Sequence, residues 1–236
     1  MSSSRSVVPL ESNPEVFATF AHNLGLRSSY GFTDIYSLTD PEILAFTPRP
    51  IKAIILLFPI NEITESASKN DNSQTGKVNV TKNPVWFKQT IKNACGLYAL
   101  LHSLSNNQEL LNKDCELTEF LLANSSKDGK YEDKATDDFI VNISERFSNN
   151  FNEGQTSAPD PNEDINLHFI TFVESNNKIF ELDGRRPNGA FELGDASSSA
   201  MDLADQDLVK KRVQWYMDSA NESDKLKFSL LALISI

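Results

Sequence analysis

The chain has 236 residues, 39% of them hydrophobic, with two cysteines, three histidines and a net charge of −11. That length suits one sizeable domain with its own core, and two cysteines build no disulfide framework, so a reducing cytoplasmic or nuclear setting is expected. The acidic balance repels nucleic acid and anionic membrane and suits a basic partner, although solubility alone would also account for it.

In chain order, residues 2–6 (SSSRS) read as a frayed terminus. Asn13 and Pro14 then give an N-cap followed by proline at the first helical position. Phe17, Phe20 and Leu24 form one face of that helix, and Gly25 stops it. Residues 33–36 are short and extended, and Asp40-Pro41 opens another helical turn. Residues 51–58 are a continuous apolar run of strand length, which predicts a central strand. The longest apolar runs, such as residues 53–60 (AIILLFPI), are far too short to span a bilayer. Residues 61–83 are polar and read as a loop. After the stretch around Cys95, residues 117–122 and the trio Phe139, Ile143 and Phe147 mark two amphipathic helices. Residues 148–166 have no periodicity and read as a long loop. Residues 167–173 and 178–183 are extended, 201–217 helical, and 226–236 a closing apolar strand.

Residues 86–104 (WFKQTIKNACGLYALLHSL) organise the rest. From Ile91 onward apolar residues fall at helical spacing with little polar surface, which predicts a helix buried nearly all round. Asn93 is the expected N-cap, placing Cys95 in the first turn. Free backbone N–H groups and the positive end of the helix dipole collect there, and both favour a thiolate. Gln89, six residues earlier, is positioned to donate its amide to a developing oxyanion. Cys115 lies between Asp114 and Glu116, which disfavour a thiolate, so it reads as structural or incidental.

A cysteine nucleophile needs a base, and elimination selects it. His22 falls opposite the apolar face of its helix. His102 lies two turns beyond Cys95, roughly 10.5 Å along the axis and out of hydrogen-bond reach. His168 remains, at the start of the strand LHFITFV. Folding that strand on KIFELD through a turn at Ser175-Asn176 sets His168 opposite Asp183, and a register slip of two residues keeps them on one face as diagonal neighbours. An aspartate there orients the imidazole. Each piece also has a structural explanation: buried cysteines commonly serve as small core residues, and a strand histidine facing an acid is ordinary hydrogen bonding. No cluster has zinc-ligand spacing and there is no glycine-rich phosphate loop, so neither metal nor cofactor is expected.

The stretch QTIKNACG (89–96), together with HFITFV and IFELDGR (168–185), resembles the nucleophile, histidine and aspartate motifs of the ubiquitin C-terminal hydrolase family. VVPLESNPEVF and RPIKAIILLFPI also resemble family sequence, so the resemblance covers nearly the whole chain. Leu97 departs from the Ser or Thr that many relatives carry after the Cys-Gly pair. The resemblance implies an α+β, papain-like three-layer domain over 1–236, with an antiparallel sheet between helices and a knotted path. It implies Cys95 as nucleophile, His168 as general base and acid, Asp183 as orienter, and Gln89 with the Cys95 backbone N–H as oxyanion hole. It also implies that residues 148–166 form a crossover loop, and that Glu11 and Asp34 hold the basic tail of ubiquitin or a ubiquitin-like modifier. The expected activity is hydrolysis of small adducts or short extensions from the modifier's C-terminal glycine by a monomer, with no nucleic-acid or membrane partner. Two rivals remain at this stage: an acyltransferase using the same triad, and a non-enzymatic ubiquitin-binding module whose triad is not assembled.

Overall fold

In the computed structural model, which describes residues 5–70, 84–125, 131–147 and 165–236, six strands pair antiparallel. They are β1 (Tyr30–Asp34), β2 (Ile51–Pro59), β3 (Leu167–Ser175), β4 (Lys178–Leu182), β5 (Phe191–Asp195) and β6 (Ser229–Ser235). Their order across the sheet is β1-β6-β2-β3-β4-β5. Side chains alternate between the faces of a strand, and β2 uses both. Ala53 and Ile55 join one apolar core, Ile54, Leu56 and Phe58 the other. That is why its sequence is a continuous apolar run rather than an alternating one.

Helices cover both faces. On the first lie α1 (Pro14–Leu24), α4 (Cys95–Ser105), α5 (Glu116–Asn124) and α6 (Asp133–Arg146), whose apolar sides fill the larger core. On the second lie α2 (Pro41–Leu44) and α7 (Asp207–Asp218). The expected α+β three-layer arrangement is thus observed. In α1, Asn13 accepts from the N–H groups of Glu15 and Val16, and Gly25 ends the helix at φ 115°. Both ends follow from side-chain capping and from glycine's freedom to turn left-handed.

Four expectations need correction. Residues 62–70 of the polar stretch form a helix, α3 (Glu62–Asn70). It starts where Asn61 and Thr64 cap each other reciprocally: Thr64 N–H donates to Asn61 Oδ1 at 2.9 Å and Asn61 N–H to Thr64 Oγ1 at 3.1 Å. The cysteine helix is capped by Ala94 rather than Asn93, which takes a left-handed φ of 61° instead. The helix expected over 201–217 begins only at Asp207, after a 3-10 turn at Leu203–Asp205 that Asp202 caps. β5 was not anticipated, because Gly194 at φ 146° and a register shift break its alternation. The closing strand, β6, lies inside the sheet between β1 and β2. Residues 71–83 and most of the expected crossover loop, 148–164, lie outside the described residues, and the expected knot depends in part on them.

Gly25 also marks a close approach, since a Cβ built there would collide with Cys115 Cβ and Sγ. Gly25→Ala combines left-handed strain with this clash and is expected to lower the thermal midpoint by about 3–10 °C. Adding Cys115→Ala should recover only part, because the Cβ–Cβ collision remains. Circular dichroism melts of the wild type and these two variants test this, and an unchanged midpoint in Gly25→Ala would contradict the packing described.

Candidate active site

Cys95 is the first residue of α4, and every residue of that helix is buried. The first intrahelical bond runs from Tyr98 N–H to Ala94 O, so the N–H groups of Cys95, Gly96 and Leu97 have no partner within the helix. The helix packs against β3, where Thr171 Oγ1 donates to Ala99 O at 2.9 Å. Leu10 and Phe169 close tightly around Gly96, the residue after the cysteine.

His168 is 2% exposed and Asp183 3%. His168 Nε2 bonds Asp183 Oδ1 at 2.7 Å. The hairpin register pairs Thr171 with Leu182 and Ser175 with Lys178, so His168 and Asp183 are diagonal rather than directly opposite. The two-residue slip comes from the turn: Asn176 and Asn177, at φ 52° and 60°, form the two-residue loop that right-twisted hairpins favour. Slipping by two preserves side-chain parity, so both groups still project from one face.

Among the described residues Nδ1, the remaining ring nitrogen of His168, has no hydrogen-bond partner of ordinary geometry. The Cys95 sulfur lies within its electrostatic reach. Burial pushes the thiol's pKa up, but His168, the Phe169 backbone N–H and the positive charge of Arg185 outweigh it and leave the thiol below its ordinary value. Burial alone would push the His168 ring down. The charge and hydrogen bond of Asp183, helped by Cys95, raise it to about 9. Asp183 moves the other way, held well below the carboxylate range against its own burial by His168 and the Arg185 N–H. A raised histidine stabilises the fold fully below its ordinary pKa near 6.5 and loses that contribution as pH rises through about 9. The depressed aspartate contributes above the ordinary carboxylate range and loses its share as pH falls below it.

Residues 85–89 connect the two halves of the site. On one side, Asn106 of the helix C-cap bonds both Val85 N–H and Val85 O at 2.8 Å, and His102 Nε2 accepts from Phe87 N–H at 3.0 Å. On the other side, Trp86 Nε1 donates to Asp183 O at 2.9 Å and Gln89 N–H to Gly184 O at 2.7 Å. A Cβ on Gly184 would come within 2.8 Å of Gln89 Cβ, so only glycine admits this approach. Gln89 Nε2 donates to Ile91 O at 3.2 Å, while its Oε1 is buried without a partner among the described residues. His102, buried and neutral with a pKa pushed down to about 4 chiefly by burial, serves this strip.

The structure therefore brings Cys95, His168 and Asp183 together and ties Gln89 to the turn after Asp183. The binding-only alternative required an unassembled triad, and these three side chains are assembled. Asp34 is not part of the cluster: it ends β1, and two strands separate β1 from β3. Glu11 is half-buried and follows Leu10, which packs against Gly96. His22 is exposed and bonds Tyr30 O, and Cys115 is half-buried against Thr118, as expected of residues outside the chemistry. Sequence reasoning missed Ser68, whose hydroxyl donates to Asp183 Oδ2 at 3.2 Å. Its only sequence cue is the Asn61–Thr64 capping pattern that starts its helix.

A thiol at a buried helix N-terminus, brought together with an imidazole on a strand and a carboxylate in the turn after the next strand, is the arrangement of a cysteine-peptidase type of hydrolase. Residues 7–218 match the family model described as ubiquitin carboxyl-terminal hydrolase, family 1, and the chain belongs to that family. Its similar relatives include the ubiquitin carboxyl-terminal hydrolase YUH1 of Saccharomyces cerevisiae, 50% identical over 232 residues, covering 97% of this chain and 96% of that one. A ubiquitin carboxyl-terminal hydrolase of Drosophila melanogaster is 32% identical, covering 95% and 96%. Among solved structures, the Trichinella spiralis UCH37 catalytic domain bound to ubiquitin vinyl methyl ester superposes with a TM-score of 0.72 at 23% identity, covering 98% of this chain and 95% of that one. No helix among the described residues is long and apolar enough to cross a membrane.

At pH 6, iodoacetamide is expected to alkylate Cys95 well ahead of Cys115, because only Cys95 is paired with an imidazolium. Asp183→Asn removes the charge that sustains the imidazolium and should slow the Cys95 reaction about tenfold or more. Peptide mapping by mass spectrometry reads both sites; an unaltered Cys95 rate in the variant would uncouple the aspartate from the thiol.

Proposed function

We propose that the Cys95 thiolate attacks the carbonyl carbon of the C-terminal glycine of ubiquitin or a ubiquitin-like modifier, releasing small adducts or short extensions. The observation that carries this is His168, bonded to Asp183 through Nε2 and coupled to the Cys95 sulfur. The tetrahedral oxyanion is held by the free Cys95 N–H and by Gln89 Nε2, which exchanges its bond to Ile91 O for the new charge. His168 gives its proton to the leaving amine or alkoxide, and a thioester remains. Neutral His168 then takes a proton from the attacking water, and the thiolate departs from the second tetrahedral intermediate. Asp183 holds the ring's orientation throughout. Family membership supports the choice of modifier.

Glu11 and Asp34 are proposed to receive the modifier's basic tail. Asp34 is half-buried at the sheet's edge strand, where burial raises its pKa, and desolvation there strengthens attraction to a cation. The need for a reduced thiol supports a cytoplasmic or nuclear setting.

Treatment with a ubiquitin C-terminal electrophile should place a single adduct on Cys95. Cys95→Ala should abolish hydrolysis while leaving modifier affinity within about threefold. An adduct on Cys115, or residual turnover in the variant, removes Cys95 from the chemistry.

Association with the modifier should slow as salt rises, since exposed charges are screened over about 10 Å at 0.1 M. Asp34→Lys should raise KM by roughly tenfold while kcat changes little. Stopped-flow association across a salt series and steady-state kinetics decide the matter; a salt-independent rate would rule out steering.

A further inference from the structure

We propose that Ser68 is a positioning residue for the catalytic aspartate, and that helix α3 exists in part to deliver it. The inference rests on the triad reading above and adds a fourth side chain to it. Asp183 is buried, and its two carboxylate oxygens are served differently. Oδ1 accepts both from His168 Nε2 at 2.7 Å and from Arg185 N–H at 2.8 Å. Among the described residues, the donor that reaches Oδ2 is Ser68 Oγ, at 3.2 Å. With donors on Oδ1 alone, the carboxylate plane is free to turn about its own bond. A donor on Oδ2 fixes the plane, and so fixes the direction in which Asp183 holds the imidazole.

The placement of Ser68 is built from residues further up the helix. Asn61 and Thr64 form the reciprocal cap, Glu65 N–H continues it onto Asn61 O at 3.0 Å, and Asn61 Nδ2 donates to Ser219 O at 3.0 Å. Ser219 is the C-cap of α7, so the start of α3 is fixed to a packed helix. Thr64 is buried, and Ser68 follows it by four residues on the same side of the helix. The cap therefore sets the rotation of α3, and the rotation sends Ser68 toward Asp183. These bonds run from Asn61 to Ser219 and from Ser68 to Asp183, so the effect on catalysis is expected to pass through the aspartate.

The test uses the full chain and a ubiquitin C-terminal fluorogenic amide. Ser68→Ala should lower kcat about three- to tenfold with KM unchanged, and slow iodoacetamide alkylation of Cys95 at pH 6 in parallel. Ser68→Thr keeps the hydroxyl and should restore most of both. Asn61→Ala, which uncaps α3 without touching Asp183, should lower kcat in the same direction. Combined with Ser68→Ala it should add little, because both act through one contact. Unchanged kcat and alkylation in Ser68→Ala, a failure of Ser68→Thr to rescue, or a loss confined to KM would each overturn the proposal. Cys95→Ala separates the two levels: if it is inactive while Ser68→Ala is fully active, the positioning role falls and the triad stands. If Cys95→Ala keeps turnover, both fall.

Discussion

The Cys95–His168–Asp183 array depends on a strip of five backbone residues, 85–89. Asn106 and His102 bind it to the cysteine helix, and Trp86 and Gln89 bind it to the turn that follows Asp183. The thiol sits on a helix over one face of the sheet, while the carboxylate lies in the turn directly after strand β4. Without a common reference these two elements would register against each other through apolar packing, which resists compression well but sets direction loosely, and through the Thr171–Ala99 bond to the neighbouring strand β3. The strip supplies directional bonds to both. Gly184 permits its approach, and the buried His102, kept neutral by its surroundings, supplies an acceptor where a charged ring would have none.

A second set of buried charges secures the far end of the same turn. Glu181 is fully buried and meets Arg186, Arg212 and the hydroxyl of Tyr216. Arg186 N–H also donates to Asp183 O at 3.1 Å. Such ion networks add little net stability compared with apolar packing, but removing one partner strands a buried charge at a cost of about 3–5 kcal/mol. We infer that the network's role here is geometric: it holds the Asp183–Arg186 turn in one conformation. Arg212 and Tyr216 come from α7, the helix whose C-cap also receives Asn61, so α7 supports the aspartate from two directions.

Much of this was legible in the sequence, for identifiable reasons. The strand β2, the helix α1 with its Asn13 and Gly25 ends, and the buried cysteine helix announce themselves through period and capping residues. The pairing of His168 with Asp183 was also legible, since parity survives a slip of two. The slip itself was hidden because Asn176 and Asn177 both take left-handed conformations, which shifts the loop by one residue. Asn93 misled for the same reason: it is a good capping residue that here turns left-handed one position too early. Helix α3 was hidden by composition, its polar surface carrying no apolar stripe, and with it went Ser68. β5 was hidden by a glycine that interrupts alternation.

The position of β6 has a consequence for biogenesis. β1 finds its sheet partner about two hundred residues later in the chain, at Tyr30↔Ser235 through Asp34↔Leu231. Closing so long a loop is slow compared with forming local helices. During synthesis β1 leaves the ribosome with both edges unpaired, long before the strand that will flank it exists. A nascent chain halted ahead of β6 already contains Cys95, His168 and Asp183, yet it lacks the sheet edge that displays Asp34. The region proposed to receive the modifier is thus the last part of the sheet to be completed.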